Sequence, residues 1–441
     1  MKETVIQFGT GNFLRGFADD FIHRMNEQDL YDGKIVIVQP TRGGKTELLN
    51  SQNGRYNLFL RGIENDKEVC EHILIESVSR GVDPYSNYEE YLRLAENPDM
   101  RFIISNTTEA GIVFDESCLF ADTPALSFPG KLTQLLYHRF EMNLNGFVIL
   151  PCELIDNNAD ELKKCVLKYA RLWELGDEFI NWIETENSFC NTLVDRIVTG
   201  YPTAEADELF KQIGYEDKLL DTAEVFHLWV IEGDFENEFP LTKAGVNVIW
   251  TNDVKPYKKM KVRILNGAHT SLVFPSLLCG IETVKESLDD ELLKEFLNIC
   301  IYGYILPVLG ETAENKAFAA AVLERFRNPY IKHRWQSISL NSVSKYTARV
   351  LPTVLDYINA NGKLPKPLVF SLACLIEYYK NNDVSDSKYV TDFIKGNTAE
   401  AILANTSLWS KDLSCMTELV SECLEKIRTL GIREALKWAM S

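Results

Sequence analysis

Three side chains in one short segment are of the right types to act on an alcohol. The segment Lys258–Thr270 contains Lys261, Asn266 and His269. If the segment is an α-helix, the three residues lie at about 0°, 140° and 80° around its axis and spread over about 12 Å, the length of a small polyol or sugar acid. A lysine desolvated there has a lowered pKa and can accept a proton from an alcohol. Asn266 could donate a hydrogen bond to the reacting oxygen, and His269 could orient the neighbouring hydroxyl.

The same segment is also compatible with a basic surface helix that has one buried histidine. Other motifs do not offer a competing chemistry. The six histidines are far apart and none has HExxH spacing, so the ligands of a zinc alcohol dehydrogenase are lacking and no metal site is predicted. The chain contains neither a G-x-S-x-G elbow nor a P-loop. A metal-free base is therefore the favoured interpretation of the lysine.

A glycine turn near the N-terminus could bind the pyrophosphate of a dinucleotide. Residues Gly9–Gly16 (GTGNFLRG) follow an apolar strand and precede an amphipathic run. Glycines at this place let the backbone approach a pyrophosphate, whose charge is favoured at a helix N-terminus. Leu14 occupies the third glycine position of the G-x-G-x-x-G fingerprint, so a plain strand–helix turn is the alternative. The strand–turn–helix context favours cofactor binding.

The end of the second strand leaves the choice between NAD and NADP open. The strand Lys34–Val38 is followed by Gln39, Pro40, Thr41 and Arg42. An acidic residue that would bind the adenosine ribose of NAD is missing there. Arg42 could hold the 2′-phosphate of NADP or be a solvated loop residue.

The order of apolar and amphipathic segments predicts an α/β fold. It consists of an N-terminal Rossmann-like, doubly wound sheet followed by a mostly α-helical C-terminal domain. The predicted strands are Thr4–Phe8, Lys34–Val38, His72–Val78, Arg101–Ser105 and Gly146–Pro151, and the predicted helices between them are Phe13–Asn26, Tyr88–Ala95 and Leu132–Phe140. We predict a dinucleotide-binding domain over residues 1–254 and a helical substrate and catalytic domain over 255–441. Lys255-Pro256 marks the boundary, because proline suits the first turn of a helix.

Composition and charge restrict the possible partners. Hydrophobic residues make up 46% and charged residues 25% of the 441 residues, as in ordinary globular proteins. The net charge of −18, from 46 basic and 64 acidic side chains, argues against a nucleic-acid partner. An uninterrupted apolar stretch of the roughly 18–20 residues that span a membrane is missing. The ten cysteines include no C-x-x-C pair and fit a reducing compartment. We expect a cytoplasmic enzyme or binding protein that acts on a small molecule.

The active-site pattern and five further motifs resemble the mannitol dehydrogenase family, which comprises metal-free long-chain polyol dehydrogenases. Lys261-x4-Asn266-x2-His269 is the family's catalytic pattern. The further motifs are Phe8–Phe17, Asn106–Ile112, Pro151–Asp156, Val194–Pro202 and Arg325–His333, in the family's order along essentially the whole chain. The resemblance implies an NAD-dependent oxidoreductase.

Within this family, the motifs are most similar to those of enzymes that act on hexuronates. The resemblance therefore implies hydride transfer between D-tagaturonate and D-altronate in hexuronate catabolism, with a lysine acid/base and no metal. Fructuronate, or an uncharged ketose such as fructose, is the alternative substrate. A nucleotide-binding sensor without turnover is the alternative outside the class.

The resemblance also implies roles for individual residues. Lys261 is the general acid or base, Asn266 and Asn158 hold the developing oxyanion, and His269 is the fourth catalytic-site residue. Asp195, His269 and Lys345 match positions that contact substrate hydroxyls. The implied cofactor residues are Phe8, Gly9, Thr10, Gly11, Asn12, Phe13, Arg15, Asn106, Thr107, Thr108 and Glu109.

Two positions depart from the family's pattern. Asn158 is followed by Ala159 where the family usually has glycine, and it is preceded by Asn157, so either asparagine could be the donor. Lys258 replaces the acidic residue that mannitol enzymes place three residues before the lysine. Lys258 could attract an anionic substrate or lower the pKa of Lys261 by like-charge repulsion.

A uronate substrate requires a cation for its carboxylate, preferably a planar guanidinium. The sequence does not rank the available cations. The candidates are Arg263, Arg327, Lys332, His333 and Arg334.

Overall fold

A computed structural model describes all residues, Met1–Ser441. The chain divides into two compact units. The first consists of Met1–Gly62 and Glu68–Lys255, and the second of Ile63–Lys67 and Pro256–Ser441. The main change of unit falls at Lys255-Pro256. The short segment Ile63–Lys67 groups with the second unit, whereas the sequence analysis includes it in the first domain.

The first unit is built on a six-stranded parallel sheet. The strands of the chain are β1 (Lys2–Phe8), β2 (Gly33–Val38), β3 (Tyr56–Glu64), β4 (Lys67–Ile75), β5 (Val78–Val82), β6 (Phe102–Ser105), β7 (Val148–Pro151), β8 (Ser188–Phe189), β9 (Thr192–Asp195), β10 (Asp221–Glu224), β11 (Leu228–Glu232) and β12 (Val248–Thr251). The large sheet has the order β5-β2-β1-β6-β7-β8 with all pairs parallel. Counted within the sheet, this is the 3-2-1-4-5-6 order of dinucleotide-binding folds, which confirms the predicted fold class. The strand order reverses between β1 and β6.

Two separate hydrophobic cores explain why β1 and β2 contain consecutive apolar residues. In β1, Val5 packs in one core, whereas Ile6 and Phe8 pack in the other. In β2, Ile35 and Ile37 share the core of Val5. Consecutive side chains of a strand point to opposite faces, so a sheet that is covered on both faces needs continuous rather than alternating apolar residues.

The prediction of a single strand over His72–Val78 was wrong. The chain turns between Ile75, the end of β4, and Val78, the start of β5. Only β5 belongs to the large sheet, because β4 lies at the edge of a smaller sheet with the order β10-β3-β4. Most residues of β4 are exposed and polar, so the apolar pattern is interrupted. A third sheet has the order β12-β11-β9.

Helices complete the first unit and form nearly all of the second. Those that begin before Lys255 are α1 (Asn12–Arg15), α2 (Ala18–Glu27), α3 (Thr46–Ser51), α4 (Tyr88–Arg93), α5 (Phe128–Glu141), α6 (Asn158–Leu172), α7 (Asp177–Glu186) and α8 (Ala206–Ile213). The later ones are α9 (Lys255–Lys261), α10 (Gly267–Leu278), α11 (Val284–Asp289), α12 (Glu291–Asn298), α13 (Leu306–Leu309), α14 (Ala313–Phe326), α15 (Trp335–Ile338), α16 (Ser342–Arg349), α17 (Leu351–Asn361), α18 (Lys366–Asn381), α19 (Lys388–Gly396), α20 (Ala399–Ala404), α21 (Thr406–Trp409), α22 (Thr417–Leu430) and α23 (Ile432–Met440).

Helix α18 forms the centre of the second unit. Its residues from Pro367 to Glu377 are all buried, as expected of a helix that is covered on every side. Two π-helical segments interrupt the helices around it, Val262–Asn266 between α9 and α10 and Ile299–Ile305 between α12 and α13. Lys258–Thr270 is therefore helical as predicted, but it is not a uniform α-helix.

One helical run passes a composition test for a membrane span. By length and composition alone, the run Glu291–Leu309 is long and apolar enough to cross a membrane. In its most apolar stretch of 18 residues, 39% of the residues are buried inside the protein. The run is not an uninterrupted apolar stretch, because Lys294, Glu295 and Asn298 lie within it.

Candidate active site

The loops after β1 and β6 touch at the point where the strand order reverses. Gly9 has φ +137°, and a Cβ atom there would lie 2.8 Å from the backbone oxygen of Asn106. The backbone N–H of Gly9 donates to Val38, and that of Asn106 donates to Phe8. Glycine is needed at position 9 for both its conformation and its lack of a side chain. Phe8 itself packs its ring in the core.

The outer part of the glycine turn has open space where a cofactor would bind. Gly11 is exposed, and a Cβ atom there would meet nothing within 4 Å. At Gly16, in contrast, a Cβ atom would lie 2.9 Å from Val198. Gly16 thus permits the close packing that the third glycine of the fingerprint normally provides, while Leu14 is a core residue. Thr10, Asn12 and the partly buried Phe13 complete the turn.

The segment Phe13–Asn26, predicted as one helix, forms two helices, because Gly16 and Phe17 interrupt the helical conformation. Helix α1 contains only four residues, and α2 begins at Ala18. A single turn has little of the dipole of a full helix. Any anion held at this turn would therefore depend on the individual backbone N–H groups near Gly11.

The prediction that Arg15 contacts the cofactor is not supported by its position. Its side chain is 2% exposed, and its guanidinium donates to the backbone oxygen of Leu219 and to Asn12 Oδ1. It also lies 3.6 Å from Asp221 Oδ2. These partners commit Arg15 to the core beneath the turn, where it fixes the side chain of Asn12.

A tyrosine hydroxyl and a buried carboxyl meet beneath the same turn. Tyr56 Oη is 2.9 Å from the backbone oxygen of Arg15 and 2.8 Å from Asp19 Oδ2. The hydroxyl donates its hydrogen to either of these oxygens or shares it between them. Burial raises the pKa of Asp19 to about 7.

Lys45 is a cation next to the glycine turn that the sequence analysis missed. It is exposed, and its Nζ lies 3.3 Å from Asn12 Oδ1. Desolvation and the charge of Arg15 lower the pKa of Lys45. Lys45 lies beyond the end of β2 in a loop without a recognisable motif. Only the fold therefore reveals that it lies close to the glycine turn.

Glu153 joins the ends of β6 and β7. Its carboxylate accepts hydrogen bonds from Ser105 Oγ at 3.0 Å and from both the backbone N–H and Oγ1 of Thr107 at 2.9 Å. Asn106 Nδ2 donates to the backbone oxygen of Cys152. Burial raises the pKa of the Glu153 carboxyl. Asn106 and Thr107 are therefore anchored at the sheet edge where open α/β folds bind their ligands.

Thr108 has a left-handed backbone conformation that β-branched residues rarely adopt. Its φ is 73°, and it is exposed, as is Glu109. Its backbone oxygen accepts a hydrogen bond from the N–H of Gly111. Such strain costs on the order of 1–3 kcal/mol and concentrates at functional sites. We interpret the strained turn as a preformed part of the cofactor site.

Replacement of Thr108 by glycine is expected to stabilise the protein by about 1 kcal/mol, because glycine adopts positive φ without steric cost. The affinity for NADH should fall, since a flexible turn must be ordered on binding. Urea unfolding and an NADH titration measure the two effects. Asn143→Gly is the matched control, with φ 53° in an asparagine that tolerates this conformation. An equal gain in the free energy of unfolding in both variants would contradict the interpretation that the backbone of Thr108 is strained.

The structure does not support Asn158 as a donor to substrate. Its Nδ2 lies 2.9 Å from the backbone oxygen of Pro151, 3.1 Å from that of Glu153 and 3.2 Å from that of Thr192. Both amide hydrogens are therefore used within the protein. Asn157, the other candidate, is exposed at the start of α6 with φ 51°, and its side chain makes no capping hydrogen bond. Asn157 is the asparagine with donors available.

Asp195 ends strand β9 and is 6% exposed. The next residue, Arg196, is fully buried and pairs with Asp20 at 2.8 Å. Arg196 also donates to the backbone oxygens of Gly16 and Glu224. The position of Asp195 is thereby tied to the helix that follows the glycine turn.

In the second unit, Lys261 and Asn266 flank a π-helical segment. Lys261 is the last residue of α9, and Asn266 is the last residue of Val262–Asn266. The angles derived for a uniform α-helix therefore do not apply, because the wider i→i+5 turn changes the rotation between the two residues. The side chain of Asn266 is partly exposed and makes no hydrogen bond within the protein. Its amide can therefore donate to a substrate oxygen.

His269 lies in a cluster of rings and cations. Its ring stacks on Phe326 at 4.1 Å and meets His333 edge-on at 5.1 Å. Its Nε2 atom is buried without a hydrogen-bond partner. Burial and the neighbouring cations hold the pKa of His269 well below its ordinary value, so the ring is neutral at neutral pH. The cations in question are Arg325, Arg349 and Lys345, and the neighbouring ring of His333 acts in the same direction.

The remaining predicted substrate residues separate into two groups. His333 and Lys345 belong to the cluster around His269, and Lys345 Nζ donates to the backbone oxygen of Ile338. Arg327 instead forms an ion pair with Asp66 at 2.6 Å. That pairing gives Arg327 a structural partner and does not support a role in binding substrate.

Family models match both parts of the chain. The model described as the mannitol dehydrogenase Rossmann domain matches residues 3–244, and the model of the mannitol dehydrogenase C-terminal domain matches residues 253–430. Two similar curated proteins are the altronate oxidoreductases of Bacillus subtilis (strain 168), 42% identical, and Escherichia coli O6:K15:H31 (strain 536 / UPEC), 44% identical. Each alignment covers 99% of this chain, and they cover 95% and 96% of the respective relatives.

Two solved structures share the fold. A D-sorbitol dehydrogenase in substrate-free form is 23% identical, with a TM-score of 0.87 over 99% of this chain and 95% of that chain. A mannitol 2-dehydrogenase of Pseudomonas fluorescens, in a ternary complex with NAD and D-mannitol, is 22% identical, with a TM-score of 0.73 over 99% and 94% of the two chains.

Proposed function

The chain belongs to the mannitol dehydrogenase family, and from this premise we propose that it interconverts D-tagaturonate and D-altronate with NAD as cofactor in the cytoplasm. It is an oxidoreductase that acts on a secondary alcohol. The observation that carries the choice of substrate is the full-length similarity to altronate oxidoreductases.

The cofactor assignment is supported by the edge of the large sheet. Gly9 lets the turn approach Asn106, and Gly11 leaves open space in front of the turn. Lys45 supplies a positive charge beside it, and the strained Thr108 lies after the next strand of the sheet. These residues would hold the pyrophosphate and the nicotinamide ribose. When bound, NADH supplies a hydride to the keto carbon, and NAD removes a hydride in the reverse direction.

The proton transfer is assigned to Lys261. In reduction, its ammonium group gives a proton to the carbonyl oxygen as the hydride reaches the carbon, and in oxidation its amine takes the proton back. The amide of Asn266 donates a hydrogen bond to the same oxygen and stabilises the charge that develops there. The neutral ring of His269 is suited to orient an adjacent hydroxyl without competing for the proton.

Absorbance at the NADH and NADPH band tests the proposal. Purified protein is mixed with D-tagaturonate, D-fructuronate or D-fructose in parallel. We expect fast NADH oxidation with tagaturonate alone. Turnover mainly with fructuronate or fructose would overturn the substrate assignment but keep the Lys261 chemistry. NADH binding without turnover of any substrate would favour the nucleotide-binding sensor.

A further inference from the structure

Lys345 and Arg349 carry positive charge near the ring of His269. Burial and the charge of Arg325 lower the pKa of His333, and burial and the charge of Arg349 lower the pKa of Lys345. The one carboxylate that acts on Lys345 is Asp386, which already accepts a hydrogen bond from Tyr379 at 2.8 Å. The ring of His333 is therefore neutral at neutral pH, whereas the positive charges of Lys345 and Arg349 repel each other.

Most cations suggested by the sequence do not belong to this cluster. Arg263 is buried and bound by Thr353 Oγ1 at 2.8 Å and Asp356 Oδ2 at 2.9 Å. Arg327 is paired with Asp66. Lys332 and Arg334 are exposed, where water already solvates their charge.

Arg349 is different from all of these. It is partly buried at the end of α16, and its guanidinium donates no hydrogen bond and forms no ion pair within the protein. Burial lowers the pKa of Arg349, and no carboxylate offsets that effect. Lys345 stands four residues earlier in the same helix, and like charges at that spacing repel. A partly buried guanidinium without a partner in the protein is suited to bind an anionic group of a ligand.

The position of Arg349 also links it to the proposed reaction. A Cβ atom on Gly267 would lie 3.2 Å from the backbone oxygen of Arg349. Gly267 follows Asn266, the proposed oxyanion donor. The end of α16 is therefore held beside the start of α10.

We infer that Arg349 binds the carboxylate of a hexuronate or hexonate substrate, supported by the charge of Lys345. The guanidinium can form two parallel hydrogen bonds with a carboxylate, which a lysine cannot match. The bound carboxylate would also relieve the repulsion between Arg349 and Lys345. This inference rests on the proposed function, because it requires a substrate seated next to Asn266.

Calorimetric titration with D-altronate and D-altritol tests the inference in the presence of NAD. Altritol has a hydroxymethyl group in place of the carboxylate. The wild type should bind altronate more tightly, and Arg349→Met should weaken altronate binding by roughly 30-fold or more, as expected for truncation of a buried charge partner. Altritol binding should change by less than about threefold, since the variant leaves the hydroxyl contacts intact.

Matched variants separate recognition from folding. Arg349→Lys keeps the charge and should give an intermediate loss, and Arg171→Met removes an exposed arginine of α6 and should change nothing. Equal losses for altronate and altritol in both Arg349 variants, or a wild type without preference for altronate, would overturn the inference. If the wild type prefers altronate through Arg349 but does not turn over tagaturonate, the proposed function fails and the inference stands.

Discussion

Replacement of Lys261 by methionine is expected to lower kcat for tagaturonate reduction by about 10³-fold, because general acid–base catalysis contributes roughly 10²–10⁴-fold. Methionine keeps much of the length and packing of the lysine stem but cannot donate a proton. The KM for tagaturonate and the affinity for NADH should change little by comparison. Steady-state kinetics and an NADH titration measure these quantities separately.

Lys259→Met is the matched control for this experiment. Lys259 lies in the same helix, two residues before Lys261, and is exposed. Its replacement should leave kcat within about twofold, as for most surface substitutions. If kcat fell less than tenfold in Lys261→Met, or by a similar factor in both variants, the assignment of the proton transfer to Lys261 would be wrong.

Replacement of Gly9 by alanine is expected to have the largest effect on the fold of the cofactor site. The residue combines φ +137° with a Cβ position 2.8 Å from a backbone oxygen, so strain and a clash add. We expect a loss of about 2–4 kcal/mol in the free energy of unfolding. NADH affinity should fall more than tenfold, because the loops after β1 and β6 would have to separate. Denaturant unfolding and an NADH titration test both expectations.

Gly11→Ala is the control, since it separates cofactor binding from stability. Gly11 has φ −72° and open space around its Cβ position, so alanine should change stability by less than about 0.5 kcal/mol. If a pyrophosphate approaches the turn, the added methyl group should nevertheless weaken NADH binding. A Gly11→Ala variant with unchanged NADH affinity would contradict the proposed position of the cofactor.

The sequence was sufficient for the parts of the fold that repeat a simple pattern. In the second strand Ile35–Val38 are all apolar because two cores cover the sheet, and this pattern is readable from the sequence. The sequence did not predict β4 as a separate strand, because its exposed residues Lys67, Glu68 and Glu71 interrupt the apolar pattern. The π-helical segment after Lys261 has no signature in residue types. The predicted angles between Lys261, Asn266 and His269 therefore assumed a regular helix.

The candidate site was predictable in its chemistry but less so in its contacts. The glycine turn, Lys261 and Asn266 follow from motif and spacing. Asn158 and Arg15 also lie in predicted motifs, yet backbone oxygens occupy the amide of Asn158, and Arg15 is buried with Leu219 and Asn12 as its hydrogen-bond partners. Whether a donor is occupied depends on distant segments such as Thr192 and Leu219. Lys45 and Arg349 are separated in the chain from the residues they approach, so only the fold brings them to attention.

The π-helical segment has a consequence for how this chain can change over evolution. A turn closed by i→i+5 bonds contains one residue more than a turn closed by i→i+4 bonds. Deletion of one residue from Val262–Asn266 would restore a regular helix. Because the wider turn absorbs the extra residue, the helix that follows would keep nearly its present rotation about the axis. The segment is therefore the place in this helix where the chain can gain or lose one residue while Asn266 and His269 keep their orientation relative to Lys261.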